Sequence, residues 1–78
     1  PVVVLEINPT TQILSGYDLR SILNIFSKYN YNFFVPDELE FSIDEKGIPN
    51  MSLNMILCAA EISKAVEKEM DYKKFEEI

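Results

Sequence analysis

The longest periodic stretch of this 78-residue chain, from Ser52 to Met70, constrains the fold more than any other part of the sequence. It reads SLNMILCAAEISKAVEKEM and contains neither proline nor glycine, and its apolar residues recur at helical spacing, which predicts an α-helix. Its second half narrows to one apolar stripe that includes Ile62 and Val66. Its first half, from Leu53 to Ala60, is apolar around almost the whole circumference, so we expect it to touch two surfaces at once.

The chain opens with a stretch that is typical of a buried strand. Residues from Val2 to Ile7 are apolar and mostly β-branched except at Glu6, so we expect a strand that is covered on both faces, near the middle of a sheet. Turn residues Asn8 and Pro9 follow. Residues 12–14 can then form either a short returning strand or a helical turn that Asn8 caps.

A first amphipathic helix is predicted after this turn. Ser15 and Asp18 stand three residues apart, which is the spacing of a capping box with aspartate in place of glutamate. The apolar residues that follow recur at helical spacing and form one stripe: Leu19, Ile22, Leu23 and Phe26. We therefore expect a helix of three to four turns.

Alternation of apolar and polar residues predicts two more strands. The first begins at Tyr31 and ends at Pro36, and the second runs from Leu39 to Asp44 with one face on the core and one in water. A turn with Gly47 in the left-handed conformation leads on to the long helix. The last residues place Tyr72, Phe75 and Ile78 three apart, which favours a short final helical turn.

These elements predict an α+β fold in the order β-α-β-β-α. We expect a single domain over residues 1–78, with a small mixed sheet of about three strands that two helices cover on one face. The first two strands cross over right-handedly if they are parallel neighbours. A core this small leaves a domain marginally stable, so we expect a homodimer that also protects a sheet edge.

Composition excludes several classes of function. The net charge of −6 repels phosphate groups, which argues against nucleic acid and membrane surfaces as partners. There is no histidine and one cysteine, Cys58, which we expect to be a small buried apolar residue, so we expect no metal and no cofactor. Neither a membrane span nor a secretory signal is found, which favours a cytoplasmic location. The start at Pro1 indicates either removal of a methionine or a piece of a longer chain.

An acidic group is the main candidate for a functional surface. One interpretation is a solvated strand face and turn, and the other is a docking patch for a basic protein surface or a mimic of phosphate charge. Aromatic residues around the second strand and apolar residues of the long helix add possible interface anchors. The predicted interaction residues are Asp37, Glu38, Glu40, Asp44, Glu45, Met55 and Tyr31.

The opening of the chain also resembles a known enzyme family. Pro1 is followed by a predicted strand, helix and strand, and over residues 1–44 this order is similar to that of the tautomerase family. The resemblance implies that Pro1 is a general base and that the substrate is a carboxylate. The family typically carries an arginine where this chain has Thr11, and Arg20 is the one arginine of the sequence.

Three functions are therefore open from the sequence. The first is a small acidic, non-enzymatic module that binds another protein as a regulator, inhibitor or assembly subunit. The second is a small isomerase that uses Pro1. The third is a domain excised from a larger enzyme.

Overall fold

The computed structural model describes residues 2–76, which form four strands and three helices in the order β-α-α-β-β-α-β. The α+β class is confirmed, whereas the predicted number and order of the strands are wrong. The elements are β1 (Val3–Ile7), α1 (Pro9–Ser15), α2 (Leu19–Ser27), β2 (Tyr31–Pro36), β3 (Leu53–Ala59), α3 (Ala60–Glu69) and β4 (Tyr72–Phe75).

The four strands form one sheet in the order β1-β3-β2-β4, and all neighbours are antiparallel, so the prediction of a mixed sheet is wrong. Strands β1 and β2 are parallel to each other, but β3 lies between them, so the two are not the neighbours that the prediction allowed for. Strands β3 and β4 are related in the same way across β2. Because β1 and β3 run in opposite directions, right-handed crossovers from each of them place the connecting helices on opposite faces of the sheet.

Helices accordingly cover both faces, not the single face predicted. Strand side chains alternate between faces, so the neighbours Phe33 and Phe34 enter different apolar clusters. On the α2 face, Phe33 packs in the cluster that contains Leu19 and Leu23 of α2. On the α3 face, Phe34 packs in the cluster that contains Val66 of α3.

The predicted helix over residues 52–70 is wrong in its first half. Leu53–Ala59 is strand β3, which lies between β1 and β2, and α3 begins only at Ala60. The four residues from Met55 to Cys58 are all buried, alternately on the α2 face and the α3 face. A strand that is covered on both faces reads as a continuous apolar run. This burial on both faces explains why residues 53–60 are almost all apolar.

The first strand lies at the edge of the sheet, so the prediction that it lies near the middle is wrong. β1 pairs only with β3. Its side chains on the α2 face enter the core, as Ile7 does, whereas Val4 on the α3 face is 63% exposed. A run of β-branched residues therefore marks a strand here without marking its place in the sheet.

Both helices between β1 and β2 begin at side-chain caps. The Asn8 side chain accepts hydrogen bonds from the backbone N–H groups of Thr10 and Thr11, so residues 12–14 belong to a helix, as the second alternative predicted. The amphipathic helix α2 is also confirmed, but its nine residues make about two and a half turns, fewer than the three to four predicted. Its cap is Asp18, which accepts from the N–H of Arg20, and not Ser15 as the predicted capping box required.

Two further predicted elements are wrong. The segment from Leu39 to Asp44 is not a strand, because its backbone contributes only an isolated bridge between Ile43 and Pro49. The predicted final helical turn is strand β4, in which Tyr72 joins the cluster on the α3 face and Phe75 the cluster on the α2 face. Ile78, the third residue of that pattern, lies outside the described residues.

Candidate interaction surface

Residues 37–52, which connect β2 to β3, form the longest connection among the described residues, and we call them the acidic segment. A connection of this length without helix or strand is uncommon in a small domain and is usually either functional or disordered. Four sets of contacts hold this one in a defined conformation.

Buried apolar side chains attach the acidic segment to the α2 face. Phe41 and Ile43 are 8% and 6% exposed and belong to the cluster of that face. The ring of Phe41 meets the ring of Phe75 edge-on, with centroids 5.0 Å apart. The alternation seen in the sequence therefore predicts correctly which side chains point inward, although it predicts the wrong backbone structure.

The side chain of Asn50 bridges the two limbs of the segment. Its Oδ1 accepts from the backbone N–H of Ser42 at 2.9 Å, and its Nδ2 donates to the carbonyl of Glu40 at 2.8 Å. The backbone N–H of Asn50 donates to the carbonyl of Ser42 at 3.0 Å. The Asn50 amide thus binds backbone groups of Ser42 and Glu40 that would otherwise pair with a neighbouring strand. The segment is therefore held in place without joining the sheet.

Arg20 of α2 binds the segment from the other side. Its Nη2 donates to the carbonyl of Ile43 at 2.7 Å, and its Nη1 donates to the carbonyl of Asp44 at 2.5 Å. Since the guanidinium group presents its donors in a rigid fork, it fixes two successive carbonyls at once. The one arginine of the chain is therefore bound to the protein's own backbone.

The turn at Gly47 packs directly against the start of α2. Gly47 has φ of +80°, as the sequence predicted, and its carbonyl accepts from the N–H of Leu19 at 3.1 Å. A Cβ atom at this position would lie 2.9 Å from the Cα of Asp18. Asp44 closes the turn, because its Oδ1 accepts from the N–H groups of Lys46 and Ile48, both at 2.9 Å.

The structure brings the predicted acidic residues onto this fixed segment. All five of their side chains are exposed: Asp37, Glu38, Glu40, Asp44 and Glu45. Asp71, which the sequence analysis did not include, joins Asp37 and Glu38 around a shallow cleft of about 330 Å³, and its carbonyl accepts from the N–H of Asp37 at 2.9 Å. Only the fold shows this neighbour, because it comes from the turn between α3 and β4.

The carboxylates of the acidic segment are not used in ion pairs within the described residues. Among residues 2–76 the one ion pair joins Lys74 and Glu76, with 3.5 Å between nitrogen and oxygen. Within that part of the chain, no carboxylate of the acidic segment is held in an ion pair, and Arg20 binds the segment through backbone carbonyls. The exposed carboxylates can attract a cationic partner in proportion to their number.

Two of the predicted interaction residues lie elsewhere. Met55 is completely buried in the cluster of the α2 face, so its side chain is part of the core and cannot reach a partner. Tyr31 is half-buried at the start of β2, and its ring lies 5.6 Å from that of Phe26. Met55 follows the acidic segment by only three residues, but in β3 its side chain enters the core.

Exposed apolar side chains form a feature that the sequence did not reveal. Helix α1 has no buried residue, and Ile13 and Leu14 on it are 63% and 83% exposed. Ile13 and Tyr17 line a shallow cleft of about 350 Å³ together with Lys46 and Ile48. Sequence patterns could not predict this surface, because the same residues would read as the buried side of a short helix.

The remaining candidates give no further site. Cys58 is completely buried, as predicted, with its sulfur 3.9 Å from the hydroxyl of Ser63. Within residues 2–76 no group of three histidine, cysteine or acidic side chains is arranged to hold a metal ion. Pro1 lies outside the described residues, so the isomerase alternative stays a prediction.

None of the helices within residues 2–76 combines the length and the apolar character needed to cross a membrane. In comparisons with protein-family models, curated proteins and solved structures, no match to the chain is found.

Proposed function

We propose that this chain is a small, non-enzymatic interaction module, acting as a regulator, inhibitor or assembly subunit, which binds a protein with a basic surface through the acidic segment. One observation carries the proposal. Residues 37–52 form no helix or strand, yet buried side chains and the hydrogen bonds of Asn50 and Arg20 hold them in place, and their carboxylates point into solvent.

The order of the segment supports recognition for an energetic reason. Fixing the backbone of a flexible loop on binding costs conformational free energy, about 1–2 kcal/mol for each residue. Here folding has already ordered the segment, so a partner gains its contacts with little of that cost. Binding residues are found disproportionately on loops that a rigid scaffold holds in this way.

The charge of the segment indicates the kind of partner. An acidic surface accelerates encounter with a basic one and discriminates against acidic proteins, more than it raises affinity by itself. We therefore expect lysine and arginine residues at the centre of the partner's surface, and an affinity that falls as salt concentration rises.

The proposal is tested by two variants with the same net charge. In the first, three glutamates of the acidic segment become glutamine: Glu38→Gln, Glu40→Gln and Glu45→Gln. In the second, three exposed glutamates of α3 become glutamine: Glu61→Gln, Glu67→Gln and Glu69→Gln. The wild-type protein and both variants are immobilised and used to capture proteins from a cell extract, which mass spectrometry then identifies.

We expect the segment variant to lose a captured protein that the α3 variant retains. A protein that both variants lose equally is bound by net charge alone, which would contradict recognition by the segment. Equal capture by all three proteins would contradict it as well.

We also propose that the protein self-associates. Eight large apolar side chains are exposed among residues 2–76, which is many for a domain of this size: Val2, Val4, Ile13, Leu14, Tyr17, Ile25, Tyr29 and Met70. A second copy that covers some of them adds buried apolar area to a domain of the size class that is only marginally stable alone. Light scattering coupled to size-exclusion chromatography tests this, and a strictly monomeric mass at every concentration would contradict it.

A further inference from the structure

The outer edge of strand β1 is open within the described residues. β1 is the first strand in the sheet order, and it pairs with β3 from Val3 opposite Leu57 to Ile7 opposite Leu53 without a bulge. Its other side therefore presents a straight row of backbone N–H and C=O groups. Such an edge is a template for another strand unless the protein blocks it.

The two edges of the sheet differ in how they are protected. Strand β4 at the opposite edge has four residues, and Lys73 and Lys74 are two of them. Short length and lysine side chains are the usual devices that prevent edge pairing. Strand β1 has five residues and carries neither lysine nor proline, and its one charged side chain is Glu6. Pairing is therefore disfavoured at β4 relative to β1.

We propose that a second copy of this chain pairs with β1, antiparallel and about a twofold axis at Leu5, so that two four-stranded sheets become one sheet of eight strands. This inference rests on the self-association proposed above and names its surface. The axis at Leu5 lies at the centre of Val3–Ile7, so every residue of the strand finds a partner. Leu5 then faces Leu5, and Val3 faces Ile7 of the second copy.

The sequence of the strand favours the second copy as the occupant, because apolar residues of the α2 face lie opposite apolar residues of the same face. Two chains of net charge −6 repel each other, so they can approach closely only where carboxylates are few. In the pairing about Leu5, Glu6 lies opposite Val4 of the second copy and not opposite another Glu6. Like charges directly opposite each other destabilise a strand pair; this register avoids direct opposition and leaves the two Glu6 residues as diagonal neighbours, about 7–8 Å apart. The strand is thus complementary to itself.

The pairing also covers apolar surface that the monomer leaves open. Val3 and Leu5 on the α2 face are only partly buried, at the margin of the main cluster. Beside Ile7 and Leu5 of a second copy, they become part of a continuous apolar face. One strand pair buries less than the roughly 1,200–2,000 Å² of a standard interface, so the dimer is expected to be weak and dependent on concentration.

Three substitutions test the inference by sedimentation of the full chain at micromolar to millimolar concentration. Val4→Glu places a carboxylate opposite Glu6 of the other copy on both sides of the axis, and we expect dimer affinity to fall by roughly tenfold or more. Ile13→Glu is the matched control, because Ile13 and Val4 are both 63% exposed, and we expect it to leave the dimer unchanged. Val4→Lys places a lysine opposite Glu6 of the second copy, so the dimer should persist.

The outcomes separate this inference from the self-association on which it rests. A dimer that Ile13→Glu breaks and Val4→Glu does not would overturn pairing at β1 while leaving self-association intact. A dimer that Val4→Lys breaks as strongly as Val4→Glu would overturn the register about Leu5. A monomeric wild-type protein would overturn both proposals, and assemblies larger than a dimer would indicate open-ended pairing of β1 with β4 and overturn the twofold arrangement. Circular dichroism of each variant confirms that it is folded.

Discussion

Replacing Arg20 by methionine tests whether one side chain holds the acidic segment in place. The substitution keeps much of the apolar stem and removes the two hydrogen bonds to the carbonyls of Ile43 and Asp44. These are the only hydrogen bonds in residues 2–76 by which a side chain of α2 reaches the segment. Their loss should therefore loosen the segment without disturbing the sheet.

The magnitude follows from the geometry of the two bonds. A hydrogen bond with a charged donor contributes about 1.5–3 kcal/mol, and an exposed one contributes less because water competes. The bond to Ile43 is partly buried and the bond to Asp44 is exposed. We therefore expect Arg20→Met to lower the free energy of unfolding by about 2–3 kcal/mol, which lowers the melting temperature by about 10–20 °C in a domain of this size. Arg20→Lys, which keeps the charge and offers one donor group, should cost about half as much.

Urea denaturation measures the stability, and partner capture measures the function. Arg20→Met makes the protein more negative by one charge, which alone would strengthen attraction to a basic partner. We expect binding to weaken nevertheless, because the partner must then order the segment. Lys64→Met is the control, since it changes the net charge equally on the exposed side of α3. Unchanged stability, or binding that rises equally in both variants, would refute the reasoning.

Two other predictions concern the turn and the core. Gly47→Ala should destabilise the protein by about 2–4 kcal/mol, because it combines a left-handed conformation with overlap against Asp18, whereas Gly16→Ala at φ of +75° meets no atom and should cost about 1–2 kcal/mol; equal losses in urea denaturation would contradict this. Leu57→Asp places a charge at a completely buried position of β3 and should unfold the protein, while Lys64→Glu on the surface should change stability by less than about 0.5 kcal/mol. A folded Leu57→Asp variant by circular dichroism would contradict the core assignment.

Local sequence signals predicted the parts of the fold that depend on neighbouring residues. The stripe of α2 is determined within a few residues and is confirmed, and the Asn8 cap is one of the two alternatives that the sequence left open. The inward positions of Phe41 and Ile43 follow from alternation alone. Each of these features needs no knowledge of what lies across the sheet.

The errors arise where a distant partner decides the structure. Residues Met55 to Cys58 suit a helix as well as a strand, and β1 and β2 on either side make them a strand. The spacing of Tyr72 and Phe75 suits a helical turn, yet in β4 the same spacing sends the two rings to opposite faces. At the candidate site, the acidic residues were visible in the sequence, but the anchors Asn50 and Arg20 were not, because their hydrogen bonds reach across the fold.

Hydrogen exchange of the free protein tests most directly whether the acidic segment is an ordered surface. The backbone N–H groups of Ser42, Asp44 and Asn50 each donate a hydrogen bond within the segment, to Asn50 Oδ1, the carbonyl of Ile48 and the carbonyl of Ser42. The account predicts that these three amides exchange far more slowly than those of an unstructured chain. Exchange at the rates of an unstructured peptide, while the amides of β3 stay protected, would contradict it.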